Sequence, residues 1–167
     1  MPKVELYLSL GSNLGDRKGY LRKALELLDT GLGVHYKSVS SFHETEPWGF
    51  ESEDRFINIA VLYEIEIPEG FDPEEVGKRI LALCKDIEAS LGRSSSVEYD
   101  LNGNRVYHSR IIDIDILFLG YENIDCEELI VPHKLMAQRD FVLLPLSEIV
   151  SSGIRNHFRD IFGQNNY

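Results

Sequence analysis

The sequence predicts a single α+β domain over residues 1–167, built as a split βαβ unit with a four-stranded antiparallel sheet and helices packed on one face. Three observations carry that expectation. The 167 residues suit one compact core. Hydrophobic residues at 43% and charged residues at 27% describe a foldable, well-solvated chain and not a disordered or fibrous one. Period-two and helical hydrophobic patterns follow one another in the order strand, helix, strand, strand, helix, strand.

Each element follows from its own pattern. Val4, Leu6, Leu8 and Leu10 alternate with Glu5, Tyr7 and Ser9, as in a strand buried on one face. The turn from Gly11 to Asp16 leads into Leu21, Ala24, Leu25 and Leu28 at helical spacing. Val34 to Phe42 reads as a second, weaker strand. Phe56 to Ile65 reads as a third, with Ile57, Ile59, Val61, Tyr63 and Ile65 on one side. Asp72, Pro73, Glu74 and Glu75 form a helix start, with a capping acid, Pro at the first helical position and acids facing the positive end of the dipole. Val76, Ile80, Leu83, Cys84, Ile87 and Leu91 mark that helix's buried stripe. Gly92 ends it, and Ile111 to Leu119 forms the fourth strand, stopped by Gly120. Beyond it lie a Pro132-His133 turn, a short helical stretch near Lys134 to Arg139, an apolar run from Phe141 to Leu146 and a polar tail from about residue 151. The polar stretch at about 94–109 is longer than most connections and is expected to be a lid, mobile without ligand.

Charge and composition exclude several classes. Against 28 acidic residues stand 17 Lys and Arg, a formal charge of −11 that repels phosphate backbones and anionic membranes. Nucleic acid and membrane are therefore not expected partners, and nothing points to an obligate protein partner. The start of the chain has no signal-peptide pattern, which makes the cytoplasm the expected compartment. Cys84 and Cys126 offer neither a disulfide framework nor a zinc cluster.

Asp113 and Asp115 stand two apart on a strand, so their carboxylates share a face while Ile112, Ile114 and Ile116 fill the other. That pattern fits either a wet sheet face or one or two Mg²⁺ ions completed by water and phosphate oxygens. Arg93, Arg105, His108 and Arg110 precede the pair, and His133 and Arg139 follow it. Acids and arginines together suit phosphoryl transfer; ordinary Arg–Asp pairing, as between Arg110 and Asp113, fits the same residues. The Gly11 to Asp16 turn lacks the Lys-Ser/Thr of a P-loop and reads as a plain turn. Phe56 and Asn58 lie opposite the apolar set of their strand, an aromatic and an amide on the face left open to ligand. A phosphohydrolase using the same acids and a non-catalytic small-molecule sensor are the competing readings; the aspartate pair with its arginines favours an enzyme.

These residues fall in ordered motifs: LSLGSNLGD at 8–16, SSFHETEPWG at 40–49, FIN at 56–58, IEASLGR at 87–93, SRIIDIDILFLG at 109–120 and VPHKLMAQRDFVLLPL at 131–146. The set resembles the 6-hydroxymethyl-7,8-dihydropterin pyrophosphokinases of folate biosynthesis. The resemblance implies a ferredoxin-like fold and transfer of pyrophosphate from MgATP to the pterin hydroxymethyl group, releasing AMP. It implies Asp113 and Asp115 as ligands of two Mg²⁺ ions, and Arg93, Arg110 and Asp115 as the catalytic set. For ATP, the co-substrate, it implies Glu88, Arg93, Tyr107, Arg110, Ile116, His133 and Arg139. For the pterin it implies Phe56 and Phe141 on the two ring faces, Asn58 at the ring edge, and Thr45, Glu46 and Trp48 beside it. The chain departs from the family pattern in the lid, where Val106-Tyr107-His108-Ser109-Arg110 replaces the commoner Arg-Trp-Gly-Pro-Arg.

Overall fold

A computed structural model describes residues 2–45, 55–92, 101–103 and 111–163, together with the backbone of 98–99 and 105–106. In chain order the elements are β1 (Lys3–Ser12), α1 (Arg17–Leu32), β2 (Ser38–Val39), β3 (His43–Thr45), β4 (Phe56–Glu66), α2 (Pro73–Ser90), β5 (Glu98–Tyr99), β6 (Arg105–Val106), β7 (Asp113–Leu119), β8 (Ile124–Asp125), β9 (Ile130–Val131), α3 (Asp140–Ser147), α4 (Ser152–His157) and α5 (Arg159–Phe162), with a 3₁₀ turn at Met136–Gln138 before α3. The main sheet is antiparallel throughout and runs β2, β4, β1, β7, with β3 pairing further along the same edge of β4. The architecture is therefore a mixed helix-and-sheet fold on an antiparallel sheet.

The two long helices start as their sequences require. The Asp16 carboxylate accepts the Gly19 N–H at 3.1 Å, and the Asp72 carboxylate accepts the Glu74 N–H at 3.0 Å, each satisfying a donor that the helix itself leaves open. Gly33 closes α1 in the left-handed region at φ 73°, a conformation that costs a glycine nothing. Leu21, Ala24 and Leu28 of α1 and Ile80, Cys84 and Ile87 of α2 pack on Leu6, Leu8, Leu10, Ile57, Ile59, Val61, Ile114 and Ile116 of the sheet.

The second strand is shorter than its sequence suggests and divided. Val34 belongs to the end of α1, where its N–H and that of Gly33 both donate to the Asp29 carbonyl. At Ser40 the ladder changes character: the backbone N–H donates to the Ala60 carbonyl at 2.9 Å, while the side-chain oxygen accepts the Ala60 N–H at 2.9 Å. A hydroxyl taking the place of a backbone carbonyl separates β2 from β3. The stretch expected to be a mobile lid contains a small hairpin, β5 against β6. Its remaining residues, 94–97, 100, 104 and 107–109, lie outside the described ones.

The expectation of helices on one face is corrected. Tyr7, Ala60, Leu62, Leu117 and Phe118 make an apolar patch on the second face, covered by Met136, by Val142, Leu143 and Leu146 of α3, and by Ile154 and Phe162. A β-bulge enlarges the patch. The register against β7 slips between Tyr7 and Leu8, so Leu117 and Phe118 both turn to the second face while Ile116 and Leu119 stay on the first.

The segment from residue 151, read from sequence as a polar tail, forms α4 and α5. Ser151 fastens it: its N–H donates to the Tyr7 hydroxyl at 2.9 Å and its own hydroxyl donates to Glu5 at 2.8 Å. Burial, the largest influence, pushes the Tyr7 phenol above its ordinary range, so it stays protonated. Phe118 stacks on Phe158 and Phe162 with ring centroids 5.0 and 6.2 Å away. Phe162→Ala is expected to lower the unfolding free energy by about 3 kcal/mol, the usual cost of emptying a buried aromatic site. Denaturant midpoints measure it; an unchanged midpoint would show that the C-terminal helices contribute nothing to the core.

Candidate active site

The second face of the sheet holds two polar clusters on a floor of small residues. Strand register sets the layout, because directly paired residues in antiparallel strands point to the same side. One row across the sheet reads Asp113, Gly11, Asn58, His43, and the next reads Asp115, Ser9, Ala60. Asp113 and Asn58 are thus two strand spacings apart, about 10 Å. Only glycine, serine and alanine occupy the intervening positions.

At the Asn58 end, the side-chain amide donates to the Thr45 hydroxyl at 3.3 Å, and Thr45 itself pairs with Phe56 in the β3–β4 ladder. Asn58 is 4% exposed, a buried amide oriented by its neighbour. A short hydroxyl partner and a fixed backbone make this edge suited to reading the donors and acceptors of a flat ring.

At the aspartate end, both carboxylates are partly exposed. His133 approaches Asp115, with Nε2 and Oδ1 3.8 Å apart. The ring's tautomer follows from its other nitrogen: Nδ1 accepts the Leu135 N–H at 3.3 Å, so the neutral imidazole carries its proton on Nε2, toward Asp115. Burial and the positive charge of Arg139 lower the His133 pKa, against the opposing influence of Asp113. Arg139, at the N-terminal cap of α3, sets its guanidinium 5.5 Å from the centroid of Phe141, a cation–π contact that orients both.

Two expected residues stand apart from this face. The Ile116 side chain is 3% exposed and points into the helix-packed core. Glu88 lies on α2, 9% exposed, where its carboxylate accepts the Ile114 N–H at 2.8 Å. This bond satisfies the edge strand between its two aspartates, a positioning contact that sequence spacing does not reveal. Glu46, Trp48, Arg93, Tyr107 and Arg110 lie outside the described residues.

Sequence reasoning missed the floor. Gly11, read as part of a turn, lies inside β1, and a Cβ there would meet Asn58 Oδ1 at 2.5 Å. The signal was present in the alternation of β1, whose non-core positions shrink from Tyr7 to Ser9 to Gly11. The donor set fits a hard divalent cation. Two carboxylates share a face and both stay partly exposed, hard oxygen donors of the kind such an ion takes. Among the described residues no group of three or more His, Cys, Asp or Glu forms a complete cage, so phosphate and water would have to supply the rest. Gly11→Ala is expected to displace the Asn58 amide and cost about 1–3 kcal/mol, as overpacking does. A heteronuclear NMR spectrum should show the Asn58 side-chain signals shifted and α1 unchanged; unshifted Asn58 signals would contradict the close packing.

Comparison with known proteins shows the family. Residues 7–151 match the family described as 7,8-dihydro-6-hydroxymethylpterin-pyrophosphokinase (HPPK). A 2-amino-4-hydroxy-6-hydroxymethyldihydropteridine pyrophosphokinase of Porphyromonas gingivalis is 46% identical over 145 residues, covering 86% of this chain and 89% of its own. The Bacillus subtilis protein of that name is 43% identical over 143 residues, covering 86% of this chain and 76% of its own. A solved HPPK-DHPS structure in complex with substrates superposes with a TM-score of 0.61 at 16% identity, over 96% of this chain and 43% of that one, which supports the fold alone. On the family match and these identities together, the chain belongs to the 7,8-dihydro-6-hydroxymethylpterin-pyrophosphokinase family.

Proposed function

We propose that the second sheet face is where this enzyme performs the family's reaction, the transfer of pyrophosphate from ATP to the hydroxymethyl group of 6-hydroxymethyl-7,8-dihydropterin in folate biosynthesis. The observation that carries the reading is the pairing of two polar ends on one small-residue floor, Asp113 and Asp115 at one and Asn58 with Thr45 at the other. In this reading the ferredoxin-like arrangement implied by the sequence is the scaffold, and the reaction takes place among soluble small molecules in the cytoplasm. Among the described residues no helix is long and apolar enough to cross a membrane.

The pterin lies with its ring edge on Asn58 and Thr45, between Phe56 and Phe141, and Glu46 and Trp48 are assigned to it by the family resemblance. Asp113 and Asp115 are the residues that would hold Mg²⁺, which would supply charge neutralisation at the ATP phosphates. His133, through Nε2–H, and Arg139 are assigned to the phosphate oxygens, and Arg93 and Arg110 to the same charge. Tyr107 and Glu88 complete the nucleotide side, Glu88 by holding β7, and Ile116 through its backbone. The pterin hydroxyl oxygen bonds to the β-phosphorus and gives its proton to Asp115, an ATP oxygen or water, the bond from that phosphorus to the α,β-bridging oxygen breaks, and AMP leaves with the electron pair. Positioning and charge stabilisation suffice, so no covalent enzyme intermediate is required.

Attack at the β-phosphorus gives AMP, so chromatography of a reaction with MgATP and the pterin alcohol should show AMP in equal amount to pyrophosphorylated pterin. Release of ADP alone would remove the reading. Asp115→Asn should lower turnover by at least about tenfold to a hundredfold, since metal sites are sensitive even to outer partners. Raised Mg²⁺ should recover part of the loss, and thermal unfolding of the free variant should occur no lower than for the parent, because carboxylate repulsion is relieved. Arg110→Ala should lose about a hundredfold in kcat with no rescue by Mg²⁺. Near-native turnover in either variant would show that the chemistry lies elsewhere.

A further inference from the structure

Glu148, just after the last residue of α3, reaches to the opposite side of the candidate pterin site. Its carboxylate accepts the Ser41 N–H at 3.0 Å, and the Ser41 hydroxyl lies 2.8 Å from Oε2. His43 Nε2 contacts the same oxygen. Burial alone would raise this carboxyl, but the hydrogen bonds from Ser41 and His43 outweigh it and hold Glu148 below the usual carboxylate range.

These contacts do not supply the bulk of the adhesion of α3. Val142, Leu143 and Leu146 already bury that helix against Ala60 and Leu62, and an ion pair whose side chains remain 26% and 35% exposed adds little. What the carboxylate adds is direction. Apolar burial tolerates sliding and tilting, whereas charge-assisted hydrogen bonds fix distance and angle. The strand so fixed is β3, at the edge of the sheet beside β4, and His43 stands directly across from Asn58. The helix so fixed carries Phe141 in its first turn.

We propose that Glu148 is a positioning residue for the pterin half of the site. Through Ser41 and His43 it sets the spacing between the helix that bears Phe141 and the strand that bears Thr45, and with it the width of the slot at Asn58. The proposal rests on the assignment of the pterin to that slot. In that assignment Phe141 closes one face of the ring only if α3 keeps its angle, so a helix free to tilt weakens the hold on the ring and leaves the chemistry of a ring already bound unchanged.

Steady-state kinetics on Glu148→Ala, Glu148→Gln and Asn58→Ala, with thermal unfolding of each, test it. Glu148→Ala should raise KM for the pterin alcohol by about tenfold or more, leave KM for ATP unchanged, and keep kcat at saturating pterin within about twofold of the parent. Glu148→Gln, which keeps an acceptor for Ser41 but loses the charge, should fall between the two; it also carries the test if the alanine variant does not fold. An unchanged pterin KM with a lowered unfolding temperature, or equal rises in both KM values, would overturn the proposal and leave Glu148 a structural residue. Asn58→Ala separates the two levels. If it weakens pterin use while neither Glu148 variant does, the positioning role alone fails; if none of the three affects pterin use, the pterin assignment fails with it.

Discussion

The pairing of β1 on both of its edges governs the rest of the molecule. A strand flanked by β4 and β7 must alternate its side chains, and the alternation is enforced because Leu6, Leu8 and Leu10 are each fully buried beneath the two long helices. With those three fixed inward, Tyr7, Ser9 and Gly11 have no choice but to face the other way. The register to β7 then brings Asp113 and Asp115 to that face, and the register to β4 brings Asn58. A one-residue slip would send the aspartates into the hydrocarbon core, where paired carboxylates could not remain ionised.

The second face is divided along its length. Where β1 offers Tyr7, the bulge at Leu117 and the ring of Phe118 gather an apolar patch, and the C-terminal helices cover it. Where β1 offers Ser9 and Gly11, nothing bulky rises from the strand, and the polar groups gather instead. One end of the second face is thus closed by helices, and the other is floored by small residues. Helix α3 belongs to both ends: its inner side packs in the patch, while Glu148, just beyond its last residue, reaches Ser41 and His43.

Much of this was legible in the sequence, because long amphipathic patterns report directly on burial. The starts of α1 and α2, the inward set of β4 and the shared face of Asp113 and Asp115 all follow from spacing and caps. What was not legible depended on partners distant in the chain. The split of the second strand comes from the Ser40 hydroxyl meeting Ala60, twenty residues away, and nothing local marks it. The covering of the second face depends on a bulge that periodicity cannot display. The small hairpin of β5 and β6 was available in the Asn102-Gly103 pair, a turn signal inside a stretch whose polarity suggested only a loop. Glu88 was visible as an acid but not as the acceptor of the Ile114 N–H, since a helix-to-strand contact leaves no periodic trace. The roles expected of Asn58, Phe56 and Phe141 rest on family resemblance; the register of β3 and β4 adds that Thr45 stands across from Phe56 and meets the Asn58 amide.

The central claim is that both substrates meet on the face of β1 that carries Ser9 and Gly11. Paramagnetic broadening tests it most directly: Mn²⁺ is added with a non-hydrolysable ATP analogue and the pterin alcohol to isotopically labelled protein. The backbone signals of Ser9, Gly11, Asp113 and Asp115 should broaden first, with those of Asn58 less affected and those of Leu21 and Ala24 in α1 sharp. Broadening centred on the helix-packed side, or spread evenly over the many surface carboxylates of this acidic chain, would contradict the account.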